Sequence, residues 1–502
     1  MKETATSYRR ILKNSSIIGG ASVANIAIGL VRTKFLAILL GPSGVGFASL
    51  YSGFLNTAGT LATMGLGTVG TRQIAEAHGN EDPHAVAVVR RAMFWSTALL
   101  SLGAMLVIWL LRRTLALHIL GSASFADAIG WLSLGVGFLV AAASQSALLQ
   151  GTYRVGDLAR VTVYGSLLNA SLGILLLWRW KMDGLIGYVL VGPVATFALG
   201  HFYVARLPKI KEADSATLSE IIREWNTLLR MGLAYVGAGL ATTLTQLWIR
   251  IFVGHALGNA LLGQYQAAWT VSMYYVSFVL TAMATDYYPR LTGAIRDRPA
   301  AVRLINEQTE VALLLSTPMF VVMMAASPWV MHLLYSALFG PSIIVLRWQI
   351  LGDVLKVASW PLGFVILAAG DGKTFFWSEC AANLITAILI VTLLRPTGLP
   401  ITGIAYLVTY IVYLPLVYWL ARRRIGFQWT RAVQRLIGAA FGTCIVVWTL
   451  ATLGFWGMLA GCAAAIWFGI FAIGRLSHMG SVGGPAGRIG EMARKFTFER
   501  LE

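Results

Sequence analysis

Arg32-Thr33-Lys34-Phe35-Leu36-Ala37-Ile38-Leu39-Leu40-Gly41-Pro42-Ser43-Gly44-Val45-Gly46 ends one long apolar segment and begins the next. Ile249-Arg250-Ile251-Phe252-Val253-Gly254-His255-Ala256-Leu257-Gly258, followed by Gly263, has the same form later in the chain. Gly41 to Gly258 and Gly46 to Gly263 are both offsets of 217 residues, and Arg250 falls one position from the register of Arg32. A repeat at this scale marks a duplicated structural unit. Each copy sits where an apolar segment ends, so the repeated unit is a set of membrane helices.

Working outward from these copies, runs of about 20 apolar residues, long enough to cross a bilayer as helices, number fourteen. They lie at 15–40, 45–70, 91–111, 127–151, 161–179, 185–205, 228–252, 262–288, 310–335, 343–369, 376–394, 401–420, 436–452 and 456–475. Six spans separate the two copies. An even number gives both the same orientation, so the expected architecture is two parallel six-helix lobes related by an axis along the membrane normal. The expected divisions are an N-terminal lobe at 1–205, a cytoplasmic interlobe loop at 206–227 and a C-terminal lobe at 228–420. Two further helices at 421–475 and a cytoplasmic tail at 476–502 follow. The fold class is an all-α polytopic membrane protein.

Charge orients it. Of the 39 Lys and Arg, 29 fall in or beside the loops on the N-terminal side and five on the opposite side: Arg112, Arg113, Arg179, Lys181 and Arg395. Such a bias places the basic loops, and both termini, in the cytoplasm. Composition agrees, at 57% hydrophobic and only 12% charged against about 25% charged in soluble domains. The net charge of +18 follows loop side rather than forming a patch, which argues against a nucleic-acid partner. No cleavable leader is expected, because residues 1–14 are polar and basic and the next apolar stretch lacks a small-x-small cleavage site. Cys380, Cys444 and Cys462 lie in apolar segments without ligand spacing, so free thiols and no metal are expected. No nucleophile elbow or Walker motif occurs, which excludes a serine hydrolase of that type and direct use of ATP. Gly41-Pro-Ser-Gly-Val-Gly46 lacks the lysine and strand of a phosphate loop and reads as a turn between spans.

The remaining five cations, Arg32, Lys34, Arg250, Arg347 and Lys356, lie inside spans. A cation at mid-bilayer costs roughly 2.5–3.5 kcal/mol on insertion scales, so each either faces a polar cavity or snorkels to an interface. Arg32 and Lys34, two positions apart, point about 200° from each other on a helix and do not share a cavity squarely. Asp353 lies three residues before Lys356, a spacing that allows an ion pair, either structural or functional. No carboxylate lies deep in a first-lobe span, Asp127 and Asp183 being at its outer edge, whereas Asp286, Asp353 and Glu379 lie in or at the ends of second-lobe spans. Asn25, Asn56, Gln145, Gln150, Asn169 and Gln246 are further candidates for lining a cavity or for joining helices.

The run Lys34-Phe-Leu-Ala37-Ile-Leu-Leu-Gly41-Pro42-Ser-Gly44-Val-Gly46 resembles the K-x-x-A-x-x-x-G-P-x-G-x-G signature of Wzx-type polysaccharide flippases. These belong to the multidrug/oligosaccharidyl-lipid/polysaccharide (MOP) superfamily. The Gly-rich second span, ending Gly67-Thr-Val-Gly70-Thr-Arg72, fits the same group. The resemblance implies a V-shaped pair of six-helix lobes and no enzymatic activity. It implies a bacterial inner-membrane flippase that moves an undecaprenyl-diphosphate-linked oligosaccharide, an O-antigen or exopolysaccharide repeat unit, to the outer leaflet by alternating access. The diphosphate is the anion that Arg32, Lys34, Arg250, Arg347 and Lys356 would meet in a cavity between the lobes, arginine binding it bidentately. Polysaccharide polymerase and chain-length machinery are the implied partners beside membrane lipid, and no cofactor is implied. An H+ or Na+ gradient is the implied energy source, with Asp353, Asp286 and Glu379 as candidate coupling sites. Asp353 leads because it is deepest in its span, with Lys356 released when it is protonated. Lipid II flippases also place an arginine nine residues before the turn glycine, as Arg32 stands before Gly41. Their span-2 arginine has no counterpart before Arg72. A drug antiporter of the multidrug and toxin extrusion (MATE) type would use a first-lobe carboxylate, where this chain offers cations.

Overall fold

Every described element of the computed structural model is helical. It describes the backbone of residues 2–80, 82–207 and 217–479, and the side chains of 19–80, 82–207, 217, 219–228, 237, 239–277, 279–280, 283 and 287–476. The α-helices in chain order are α1 (Lys2–Thr63), α2 (Leu66–Gly79), α3 (Pro83–Leu120), α4 (Ala126–Gly151), α5 (Val155–Trp180), α6 (Leu185–Ala205) and α7 (Leu218–Leu257). They continue with α8 (Asn259–Ala294), α9 (Arg298–Leu334), α10 (Ser342–Ala368), α11 (Gly372–Thr397), α12 (Ile401–Ile425), α13 (Arg431–Ala451) and α14 (Phe455–Met479). Polar caps set several starts. Asp82 accepts the Ala85 N–H at 3.0 Å ahead of Pro83 at the first helical turn, where a missing N–H costs nothing. Thr217 and Glu220 form a capping box on α7.

Eleven helices among the described residues are long and apolar enough to cross a membrane. One of them, Gly19–Thr63 of α1, has 45 residues, about 68 Å of helix against a hydrocarbon core of about 30 Å. It covers two expected spans. Where the sequence reads as a turn over Gly41–Gly46, the chain bends at one non-helical residue, Gly41 (φ 63°, ψ −166°). Its repeat mate Gly258 adopts φ 84°, ψ 163°. This backbone region is essentially restricted to glycine, so the repeat preserves a backbone conformation as well as a spelling. The second glycine of each copy then makes a close approach. A Cβ on Gly46 would stand 2.0 Å from the Asn259 carbonyl oxygen, and one on Gly263 would stand 1.9 Å from that of Pro42. Pro318, Pro361 and Pro415 lie inside α9, α10 and α12, which continue through them.

The chain divides into two compact units: Met1–Gly263 with Leu334–Ser336, and Gln264–Leu333 with Ala337–Glu502. In the first unit α4 is the central helix, packed by α2, α3 and α6. α7 packs along α1 and α3. In the second unit α10 is most enclosed and pairs with α12. Gly352 permits that pairing, since a Cβ there would lie 2.6 Å from the Tyr406 ring.

Candidate functional sites in the two units

A polar cavity of about 530 Å³ opens within the first unit between α1, α4, α5 and α6. Arg32, Ser52, Asn56, Ser146, Asn169 and Thr196 supply its polar lining, and no carboxylate lines it among the described residues. Arg32 is half-buried. One terminal nitrogen of its guanidinium donates to the Tyr188 carbonyl at 2.9 Å, and the guanidinium stacks 3.9 Å from the centre of the Tyr188 ring. Tyr188 therefore fixes the cation at the start of α6 without using all its donors. Arg32 Nε is buried and has no hydrogen-bond partner, and neither has Asn169 Oδ1. Unmet buried groups of this kind cost about 1–3 kcal/mol each. An anion would satisfy the first and a hydroxyl the second. Arg250 approaches the same stretch of α1 at Gly53, where a Cβ would lie 2.7 Å from its guanidinium. Lys34 is half-buried and does not line this cavity, as the angular separation from Arg32 requires.

The second unit holds a buried carboxylate. Asp353 on α10 is fully enclosed and accepts three hydroxyls. Ser272 Oγ and Tyr275 Oη from α8 donate to Oδ2 at 2.7 and 2.6 Å, and Tyr406 Oη from α12 donates to Oδ1 at 2.7 Å. The ion pair allowed by the spacing is not formed: among the described residues no Asp353–Lys356 contact falls within 4.0 Å. The hydroxyls occupy the carboxylate, while Lys356 Nζ lies 3.7 Å from Met273 Sδ. It also lies 5.8 and 5.9 Å from the ring centres of Tyr406 and Tyr410. Asp353 and Glu379 are the opposing charges that act on it. Tyr406, Tyr410 and Tyr413 follow one face of α12 in edge-on contact, and Tyr413 Oη donates to Glu379 at 2.6 Å. Gln349, one turn before Asp353, is fully buried with both amide atoms unpartnered.

Arg347 donates through Nε to Ser327 Oγ at 3.0 Å, away from the tyrosine ladder. The Asp286 side chain lies outside the described residues. Asn25 accepts from Ser166, so it joins α1 to α5. Gln145 lines a different cavity. At the turn into α11, the Thr374 hydroxyl and N–H (2.6 and 3.0 Å), together with Arg424, bind Asp371 and hold its carboxyl at about 2. Ser52, Ser146 and Thr196 of the first site escaped sequence reasoning, as did Ser272, Tyr275 and Tyr406 of the second. Ser272 and Tyr275, three residues apart and so on one face of a helix, carried the one available signal.

The profile of a family described as "Polysaccharide biosynthesis protein" matches residues 35–344. A protein named lipid III flippase, from Escherichia coli strain K12, is 23% identical over 441 residues, covering 82% of this chain and 99% of that protein. The lipid II flippase MurJ in its inward closed conformation superposes with a TM-score of 0.66 at 12% identity, over 93% of this chain and 99% of its own. An inward-facing MATE family transporter of the MOP superfamily gives 0.65 at 17% identity, over 82% and 99%. These likenesses name transporters and flippases, not enzymes, and the structural ones establish a shared fold. The resemblance read at Lys34–Gly46 is therefore borne out: this multi-pass helical membrane protein carries the MOP fold and belongs to the polysaccharide biosynthesis protein family.

Proposed function

We propose that the chain flips an undecaprenyl-diphosphate-linked oligosaccharide, an O-antigen or exopolysaccharide repeat unit, across the bacterial inner membrane by alternating access. The observation that carries this reading is the pair of unmet groups in one polar cavity, Arg32 Nε and Asn169 Oδ1. A phosphate supplies acceptors and a sugar supplies hydroxyl donors, and lipid-linked sugar phosphates present both. The lipid III flippase likeness over nearly its whole length supports the same substrate class. Arg32 and Arg250 take the diphosphate in this reading. The topology is fourteen spans with both termini cytoplasmic, supported by the distribution of 29 basic residues against five. The repeat marks six-helix lobes at 1–205 and 228–420. Polymerase and chain-length proteins would take up the flipped unit. The cavity is lined by one cation, Arg32, and by no described carboxylate, which disfavours a cationic-drug antiporter.

Coupling to H+ or Na+ falls to Asp353, with Glu379 and Asp286 as the other candidates. The ionised carboxylate accepts all three hydroxyls. Protonation turns it into a donor at one oxygen and forces a hydroxyl to reorient. It also removes one of the two negative charges that act on Lys356, leaving that of Glu379.

Purified protein in proteoliposomes, loaded with a defined lipid-linked oligosaccharide, tests the function. Gradient-dependent exposure of the sugar to an external glycosidase is expected. Exposure no faster than in protein-free vesicles would overturn the reading.

A further inference from the structure

A second cavity in the first unit, of about 540 Å³, lies between α3, α4 and α6 and takes no part in the reading above. Its lining is graded. Arg90, Thr97, Gln145 and His201 lie toward one end, and Leu102 and Met105 of α3 face Leu134 and Phe138 of α4 toward the other. Thr97 Oγ1 and Gln145 Oε1 are buried with no hydrogen-bond partner, so a donor and an acceptor are available near the polar end. From Arg90 to Met105 α3 advances about 22 Å, more than the roughly 15 Å that half a hydrocarbon core measures. Phe94 and Leu102, both more than 60% exposed, lie at its edge, so the groove is accessible sideways from lipid. The basic side chains at its polar end stand where α3 begins and α6 ends. The loop-charge bias places that end at the cytoplasmic headgroups, where basic pockets between helices hold anionic lipids.

We propose that this groove is a binding site for an anionic phospholipid of the inner leaflet, with phosphatidylglycerol as its occupant. One acyl chain lies along Leu102, Met105 and Phe138. The phosphate meets Arg90, and Thr97 and Gln145 pair with the ester carbonyl and the headgroup hydroxyl. The site is separate from the cargo cavity at Arg32, so its test does not depend on transport.

Thermal unfolding of the full chain in detergent, followed by tryptophan fluorescence, tests the proposal. The probes are phosphatidylglycerol, phosphatidylcholine, inorganic phosphate and undecaprenyl phosphate. Phosphatidylglycerol alone should raise the midpoint by roughly 5 °C at saturation. Arg90→Gln should lose most of that shift. Ala141→Trp, which fills the groove, should abolish it, and Ala98→Leu serves if the tryptophan variant does not fold. An equal shift with phosphatidylcholine, or with phosphate alone, would overturn the site as described. So would a full shift retained in the folded groove-filling variant. A shift with undecaprenyl phosphate and none with phosphatidylglycerol would also overturn it, assigning the groove to the cargo tail.

Discussion

The Arg32 cavity and the Asp353 cage bury opposite charges in opposite ways. Around Arg32 the protein supplies a carbonyl and an aromatic face, then leaves Nε and the nearby Asn169 Oδ1 unmet. Around Asp353 it supplies three hydroxyls from two other helices and leaves no room for solvent. An incompletely satisfied polar cavity is a place for a ligand, because the ligand repays desolvation already spent. A fully satisfied carboxylate holds the packing around it, and changes that packing when its proton count changes. The fold thus separates a group poised to bind from a group poised to change state.

Substitution at the cage should break this contrast most strongly. Asp353→Ala leaves Ser272, Tyr275 and Tyr406 facing a void and should destabilise the protein by about 3–5 kcal/mol. A sharp loss of monodisperse material on size exclusion reads this out. Asp353→Asn keeps the shape and should stay folded while transport loses its dependence on the gradient. Full gradient dependence in that variant would remove Asp353 as the coupling group. At the open site, Arg32→Ala should leave folding intact and slow transport about ten- to a hundredfold, the equivalent of a charged hydrogen bond worth about 1.5–3 kcal/mol. Normal flux at normal expression would show that Arg32 only ties α1 to α6. Tyr406→Phe removes one of three donors and should cost about 1 kcal/mol, seen as a small drop in unfolding temperature with transport retained.

The smallest effect is expected outside both sites, at Asp371. Its folded carboxyl titrates at about 2, below the usual value of about 3.9. The α11 cap therefore contributes stability that is complete above the usual carboxylate range and is lost as pH falls toward 2. Asp371→Asn should lower stability slightly at neutral pH and converge with the parent near pH 2, which flattens the acid limb of the unfolding curve. An unaltered acid limb would show that the cap does not govern it.

Much of the scaffold was legible because a bilayer allows few solutions. Backbone groups in lipid must bond within helices, so hydropathy alone outlined the helices from α3 to α14. Arg32 was legible as a cation in an apolar run, and Asn56 and Asn169 as polar groups in others. Gly41 and Gly258 were legible through their shared offset, though the bend at a single residue was not, because helix continuation past Pro42 depends on packing at Gly46. The cage was hidden for a different reason. Asp353 and Lys356 have the spacing of an intrahelical pair, and local spacing is all that one chain segment reveals. Ser272 and Tyr275 reach the carboxylate from α8 and Tyr406 from α12, and nothing in seventeen tyrosines marks which will meet an acid.

The packing of α7 along α1 and α3 also bears on how the chain is made. The first compact unit extends to Gly263, so the ribosome must pass well beyond α6 before that unit has all its helices. At 5–20 residues per second, residues 206–263 take about 3–12 s to synthesise. Through that interval the Gly46 and Gly53 surfaces of α1 lack their partners, Asn259 and Arg250, and must be covered by lipid or by the insertion machinery. A chain arrested after residue 205 should therefore be more vulnerable to membrane proteases than one arrested after residue 263.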